Sequence, residues 1–279
     1  MPRPAPYELT RTSVRPKNFR LKPGAPLRKN AAFIGLGQGY GTPELRDSSG
    51  RDNHVPLTDV AWTHVPELRR NGQIYNGTTA FGTLPASLHT STWTEATYSV
   101  WLKLANATPV ASRTGLNQLT GINPALNENE HYPWVTGTAY LNTFRADRKA
   151  FALSSVIDRE DWHRLTITTK AGGTWSVWQN TTQIYSTAAQ STVTVGGNGA
   201  AYLGRSALTS GPYCFDGQRA DEILLPRWVS PAEIAVLCSR RPDLNGNIVG
   251  PRLTVPQSSG PSTFPYYFRN YVLSQAGCA

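Results

Sequence analysis

Cysteine is scarce in this chain of 279 residues: Cys214, Cys238 and Cys278 are the full set. A small, odd number of cysteines does not make a disulfide framework, so three free thiols are expected, with one oxidised pair left open for an oxidising setting. No stretch approaches the roughly 18 consecutive apolar residues of a membrane-spanning helix. The opening Met1-Pro2-Arg3-Pro4-Ala5-Pro6 is not followed by an apolar stretch. It therefore does not read as a secretory leader, and synthesis in the cytoplasm without standard secretion is expected. The signatures of nucleophilic and metal-dependent hydrolysis, Gly-x-Ser-x-Gly and His-Glu-x-x-His, are missing, as is a phosphate-binding loop. Zinc-finger spacing and a helix-turn-helix pattern are missing too, which argues against sequence-specific nucleic-acid binding.

What the chain has in quantity is glycine and proline, 24 and 21 residues, about one position in six. That suits short strands joined by many turns rather than a helical protein. Apolar residues make up 39% and aromatics 10%, enough for a packed core. The net charge of +9 is distributed unevenly. Residues 1–30 hold eight basic side chains and one acid, Glu8, so this arm carries +7 and the other 249 residues only +2. A basic, proline-containing arm poor in apolar residues does not fold into a core. Arg11, Arg15, Lys17, Arg20 and Lys22 are its candidate docking residues. Nucleic acid is a weak candidate partner, because the arm lacks interleaved aromatics for base stacking. A protein surface is the preferred one.

From about residue 31 alternation of period two sets in, the mark of a half-buried strand. In Ala96–Lys103, Tyr98, Val100 and Leu102 fall on one face and Thr97, Ser99, Trp101 and Lys103 on the other. Strands are also expected at 150–157, 163–169, 174–178 and 183–186, and further ones at 135–141, 192–195, 200–204 and 220–225. Lys170-Ala171-Gly172-Gly173 and Gln179-Asn180-Thr181-Thr182 read as turns between strands. Ser230-Pro231-Ala232-Glu233 is a capping box with proline at the first helical position, and Val229 and Ile234 stand where a hydrophobic staple would close it. One short helix over about 231–240 follows.

Several segments in order resemble the laminin-G-like, concanavalin A-like lectin/glucanase family over roughly residues 31–240. They are Asp47-Ser48-Ser49-Gly50-Arg51-Asp52-Asn53-His54, Ile74-Tyr75-Asn76-Gly77, Tyr98–Lys103, Asp161-Trp162-His163-Arg164-Leu165, Tyr202-Leu203-Gly204-Arg205 and Phe215–Ile223 with the capped helix after it. Asn180-Thr181 departs from the Asn-Gly that the family often has there. The resemblance implies an all-β, two-sheet antiparallel jelly-roll sandwich with one short C-terminal helix. The extended arm 1–30 precedes it and a Pro- and aromatic-rich tail, 241–279, follows.

Some relatives of this fold are glycosidases, which need two carboxylates facing each other across the scissile bond. The best acids are Asp221 and Glu222, but along a strand Asp221 shares its face with Ile223 and Leu225, and Glu222 with Leu224 and Pro226. Neither face offers a second acid, so no catalytic residues are expected. The resemblance also implies a structural calcium, for which Asp47 and Asn53 would supply hard oxygens and Asp221 could approach. The alternative is that Asp47 closes an Asx-turn and Asp221 pairs with an arginine. His54 and His163 are expected to make structural hydrogen bonds.

For glycan stacking, Trp93, Tyr132 and Trp134 are the candidates, read as lying in loops, the connection 104–134 being long. Trp101, Trp162, Trp175 and Trp178 read as core or sheet-face residues. In the tail, Phe264, Tyr266, Tyr267, Phe268 and Tyr271 form an apolar run suited to docking on another subunit or back on its own domain. These features together fit a non-enzymatic bacteriophage virion protein, a capsid decoration or structural component. Arm and tail would anchor it to other virion proteins in multiple copies, while the lectin-like domain faces outward toward host-surface glycans. A free cell-surface carbohydrate-binding module and a divergent glycoside hydrolase are the alternatives.

Overall fold

The computed structural model describes residues 30–37, 41–68, 70–88, 93–105, 161–188, 201–205 and 214–238. It also describes the backbone of strand positions 113–114, 117–118, 130–135, 138–143, 147–152, 206 and 213. The basic arm, the aromatic tail, Cys278 and the strand expected at 192–195 lie outside the described residues.

Two antiparallel sheets make up the body. The first runs β15 (Thr182–Ala188), β14 (Thr174–Gln179), β13 (His163–Lys170), β7 (Glu95–Leu104), β19 (Asp216–Leu225), β5 (Arg70–Asn76) and β4 (Ala61–Val65). Strand β1 (Phe33–Gly35) pairs with the second half of β19. The second sheet runs β12 (Asp147–Ala152), β11 (Thr138–Thr143), β10 (Glu130–Val135), β9 (Asn117–Gln118), β16 (Ala201–Leu203), β6 (Phe81–Leu84), β3 (Val55–Thr58) and β2 (Glu44–Leu45), with β8 (Arg113–Thr114) beside β10. A small ribbon joins β17 (Arg205–Ser206) to β18 (Tyr213–Cys214).

The alternation read in β7 sorts its side chains as expected. Tyr98, Val100 and Leu102 enter the main core, where Leu165, Ile167, Trp175 and Val177 of the same sheet meet Leu45, Val55, Leu84, Ala201 and Leu203 of the other. On the opposite face of β7, Ser99 Oγ lies 2.7 Å from Thr166 Oγ1, its register partner on β13. Trp101 packs with Val65, Leu68 and Ala220 in a smaller cluster, and Trp162 leans on it. Trp178 leans on a third cluster, formed where the helix α1 (Pro231–Leu237) covers β1 and β19 with Ile34, Ile223, Leu225, Ile234 and Leu237.

That helix starts as its sequence dictates. The Glu233 backbone N–H donates to Ser230 Oγ, and the Ser230 N–H donates to Glu233 Oε2 at 2.9 Å, so both arms of the capping box are made. Val229 and Ile234 are both buried, as a staple requires. The turn at Asn180-Thr181 forms without glycine: Asn180 adopts φ 52°, which asparagine tolerates better than most side chains, and its Oδ1 accepts from the Arg164 N–H.

Three expectations need correction. The strand expected at 135–141 is two strands, β10 and β11, antiparallel to each other. Tyr132 and Trp134 therefore stand in β10 and not in a loop. The strand expected from 150 begins at Asp147 instead and its described part ends at Ala152. Between β11 and β12 the sequence at 144–146 lacks the Gly or Pro punctuation on which a sequence reading relies, whereas between β10 and β11 Gly137 marks the break that a single strand over 135–141 ran through. Cys214 and Cys238 are free thiols, and burial pushes the pKa of both upward.

Candidate functional site

The acids singled out in the sequence sit on β19, where the register with β7 slips between Ala220 and Ile223 and Asp221 turns to φ 48°. This is a bulge, and an inserted residue re-aims the side chains around it. Strict alternation would put Arg219 and Glu222 on opposite faces. With the bulge, both enter the main core. Arg219 Nη2 donates to Glu222 Oε2 at 2.9 Å and also to the Tyr98 hydroxyl, which in turn donates to Glu222 Oε2 at 3.1 Å. The guanidinium stacks 5.0 Å from the Tyr75 ring and 5.4 Å from Phe215. Arg219 and Glu222 are both 0% exposed. Burial raises the Glu222 pKa against the pull of Arg219, and burial also pushes the Tyr75 hydroxyl up. Asp221 turns the other way and pairs with Arg70, itself buried. The two acids are thus parted and each is tied to an arginine. Neither reaches a surface where a substrate could meet it.

The loop from Asp47 to His54 is organised around one carboxylate. Asp47 Oδ1 accepts from the Ile34 N–H at 3.1 Å and the Ser49 N–H at 2.7 Å. Its Oδ2 accepts from Ser49 Oγ at 2.7 Å and the Asn53 N–H at 3.1 Å. Asn53 Nδ2 donates to the Ala32 carbonyl and its Oδ1 accepts from Ser87 Oγ. The Asp47 N–H donates to His54 Nδ1, and His163 Nδ1 lies 3.0 Å from the Asp161 carbonyl, so both histidines make the structural bonds expected of them. Calcium needs six to eight oxygens with free lone pairs. Here Asp47 and Asn53 do share a loop, but their oxygens already accept from N–H and O–H donors, and Asp221 is engaged by Arg70. This donor set does not fit a cation. No group of three or more His, Cys, Asp or Glu able to hold a metal occurs among the described residues. Excess EDTA should leave the melting temperature unchanged in a thermal scan; a fall of several degrees, restored by calcium, would show a metal site elsewhere.

Of the aromatics proposed for glycan stacking, Trp93 is partly buried against the main core. Tyr132 and Trp134 are placed by register alone. Glu130, two residues before Tyr132, pairs with Gln118, and Gln118 pairs with Tyr202 on β16. Tyr202 in turn pairs with Thr83 on β6. Along β16 the neighbours of Tyr202, Ala201 and Leu203, are buried in the core, so Tyr202 stands on the outward face, as Phe81 does on β6. The two rings meet edge to face at 5.4 Å. Arg205 closes the group, with Cζ 4.8 Å from the Phe81 ring and 5.1 Å from the Tyr202 ring. All three side chains are partly exposed. The sequence reading passed over this group. Tyr202 and Arg205 were visible as part of a family motif, but Phe81 lies far away in the chain and arrives only through the pairing of β6 with β16.

No protein-family model and no curated protein matches this chain. Solved structures do. The binding domain of Paraclostridial Mosquitocidal Protein 1 superposes with a TM-score of 0.59 at 14% identity, over 76% of this chain and 52% of that one. The receptor binding domain of the botulinum neurotoxin C/D mosaic serotype gives 0.57 at 14% identity, over 80% and 55%. A structure of botulinum neurotoxin type C, described as dependent on interaction with two ganglioside molecules to enter cells, gives 0.54 at 13% identity, over 76% and 51%. This chain spans about half the length of each of these. At such identities the likeness is one of fold: the chain is built as a two-sheet, lectin-like β-sandwich similar to that in these toxin structures.

Proposed function

We propose that this chain is a non-catalytic binding protein whose lectin-like sandwich engages carbohydrate. We place it on a bacteriophage particle, as a structural or decoration component held in multiple copies by its terminal segments. The observation that carries the binding part is the contrast between the two kinds of polar site. Asp221 and Glu222, the acids best placed for hydrolysis, are sealed against arginines inside the protein, while an aromatic pair and a guanidinium stand on the outward sheet face. A similar structure described as a binding domain, and another of a neurotoxin whose cell entry is described as dependent on interaction with two ganglioside molecules, favour the same reading. The binding described for them belongs to chains about twice as long as the matched part.

The particle part rests on charge segregation, with +7 of the +9 held in residues 1–30, and on the aromatic run 264–271. Such extensions suit docking on neighbouring proteins better than nucleic acid, since specific nucleic-acid binding calls for motifs and stacking aromatics that the arm lacks. Two measurements test the reading. The full chain should retain a defined subset of glycans on a broad array without cleaving them, and turnover of any retained oligosaccharide would overturn the non-catalytic reading. In the parent phage, deleting residues 1–30 should abolish incorporation into particles; normal incorporation would overturn the anchoring role.

A further inference from the structure

We infer that the outward group of Phe81, Tyr202 and Arg205 is a site for the carboxylate of an acidic sugar. The inference rests on the carbohydrate-binding reading above and names its ligand class. The chain reaches this geometry through Gly204, which holds φ +73° and lies so close to Tyr75 that a Cβ would come within 2.3 Å of that ring. Only glycine passes there without strain, and the turn it makes carries the backbone from Tyr202 to Arg205 so that both side chains meet Phe81. The result is a guanidinium held against two rings at 4.8 and 5.1 Å.

A cation over aromatic faces gains only a modest energy while it stays exposed to water, and it keeps its hydrogen-bond donors. Among the described residues no carboxylate pairs with Arg205, and its Nε is buried with no hydrogen-bond partner. A planar fork of donors, held against two rings and with no anion on it among the described residues, matches a carboxylate in two parallel bonds. Because the rings already restrict the side chain, less conformational entropy is lost when the anion arrives. The exposed ring surface beside it offers an apolar platform with a negative face, suited to the polarised C–H bonds of a sugar ring. A neutral sugar would use the rings and leave the fork unfilled. A nucleic-acid backbone would need several cations in a row, whereas residues 31–279 carry a net charge of only +2.

The test uses the full chain and three probes in calorimetric or NMR titrations: 3′-sialyllactose, a hyaluronan tetrasaccharide and lactose. At least one of the two acidic sugars should bind about tenfold or more tightly than lactose, as expected for a hydrogen-bonded charge. Which one binds distinguishes a sialic acid from a uronic acid as the source of the carboxylate. Arg205→Gln should bring the acidic sugar down to the lactose level, and Arg205→Lys, which keeps charge without the fork, should lose most of the preference. Shifts of the Phe81 and Tyr202 ring protons on adding the acidic sugar to the unaltered chain report the same site without any substitution. Equal binding of acidic and neutral sugars, unmoved by Arg205→Gln, would overturn the acidic class and leave the carbohydrate reading standing. No retention of any glycan on a broad array would overturn both.

Discussion

Arg219→Met should destabilise the sandwich by about 3–5 kcal/mol, the usual cost of leaving one member of a buried ion pair without the other. Arg219 and Glu222 are both 0% exposed, and the Glu222 carboxylate takes its two closest donors from Arg219 and Tyr98. Without the guanidinium, a carboxylate in the main core must either stay charged in apolar surroundings or take up a proton, and each alternative favours the unfolded chain. The double variant Arg219→Met/Glu222→Leu should recover much of the loss, because replacing a whole buried pair by apolar side chains is often close to neutral. Urea unfolding followed by fluorescence of the eight tryptophans measures both. A single-variant cost below about 1 kcal/mol, the range of an exposed pair, would mean that the bulge does not seal these groups from water. The same experiment bears on the hydrolase alternative, since a sealed Glu222 governs stability and not turnover.

Asp47→Ala should cost about 3 kcal/mol or more, because its removal strands several buried donors together and each unsatisfied buried group costs roughly 1–3 kcal/mol. Three of the four donors are backbone N–H groups, of Ile34, Ser49 and Asn53, and cannot turn to other partners without moving the chain. The damage should spread through β1, which supplies Phe33 to the main core and Ile34 to the cluster beneath the helix. Amide hydrogen exchange gives the sharper readout, with Ile34, Ser49 and Asn53 losing protection well before the amides of β7 and β13. Asp47→Asn keeps one carbonyl acceptor and should fall between the two. Wild-type protection at Ile34 in Asp47→Ala would show that the loop does not depend on this carboxylate.

Much of this was legible in the sequence. Alternation in Tyr98–Lys103 assigned core and outer faces without any knowledge of neighbours, because side chains of a strand alternate whatever the strand pairs with. Ser230-Pro231-Ala232-Glu233 marked the start of the helix, because a capping box is closed within four residues. The pairing of Asp221 with an arginine and the Asx role of Asp47 stood among the readings of the sequence, each opposite a calcium site. The choice between them needed the partners. Arg70 meets Asp221, and Ile34 meets Asp47, across separations that no local pattern encodes.

The sequence by itself determined a β-rich body, the turns at 170–173 and 179–182, the capped α-helix and the segregation of positive charge into the arm, since these depend on residue type and short-range spacing. Tertiary structure alone decided where the acids and aromatics ended up. A one-residue bulge in β19 turned Glu222 inward beside Arg219, and the register of β6 against β16 brought Phe81 to Tyr202 and Arg205. Both outcomes depend on which strands pair and in which register. That is settled by the packing of the whole sandwich, since a shift of one residue moves every side chain of a strand to the other face.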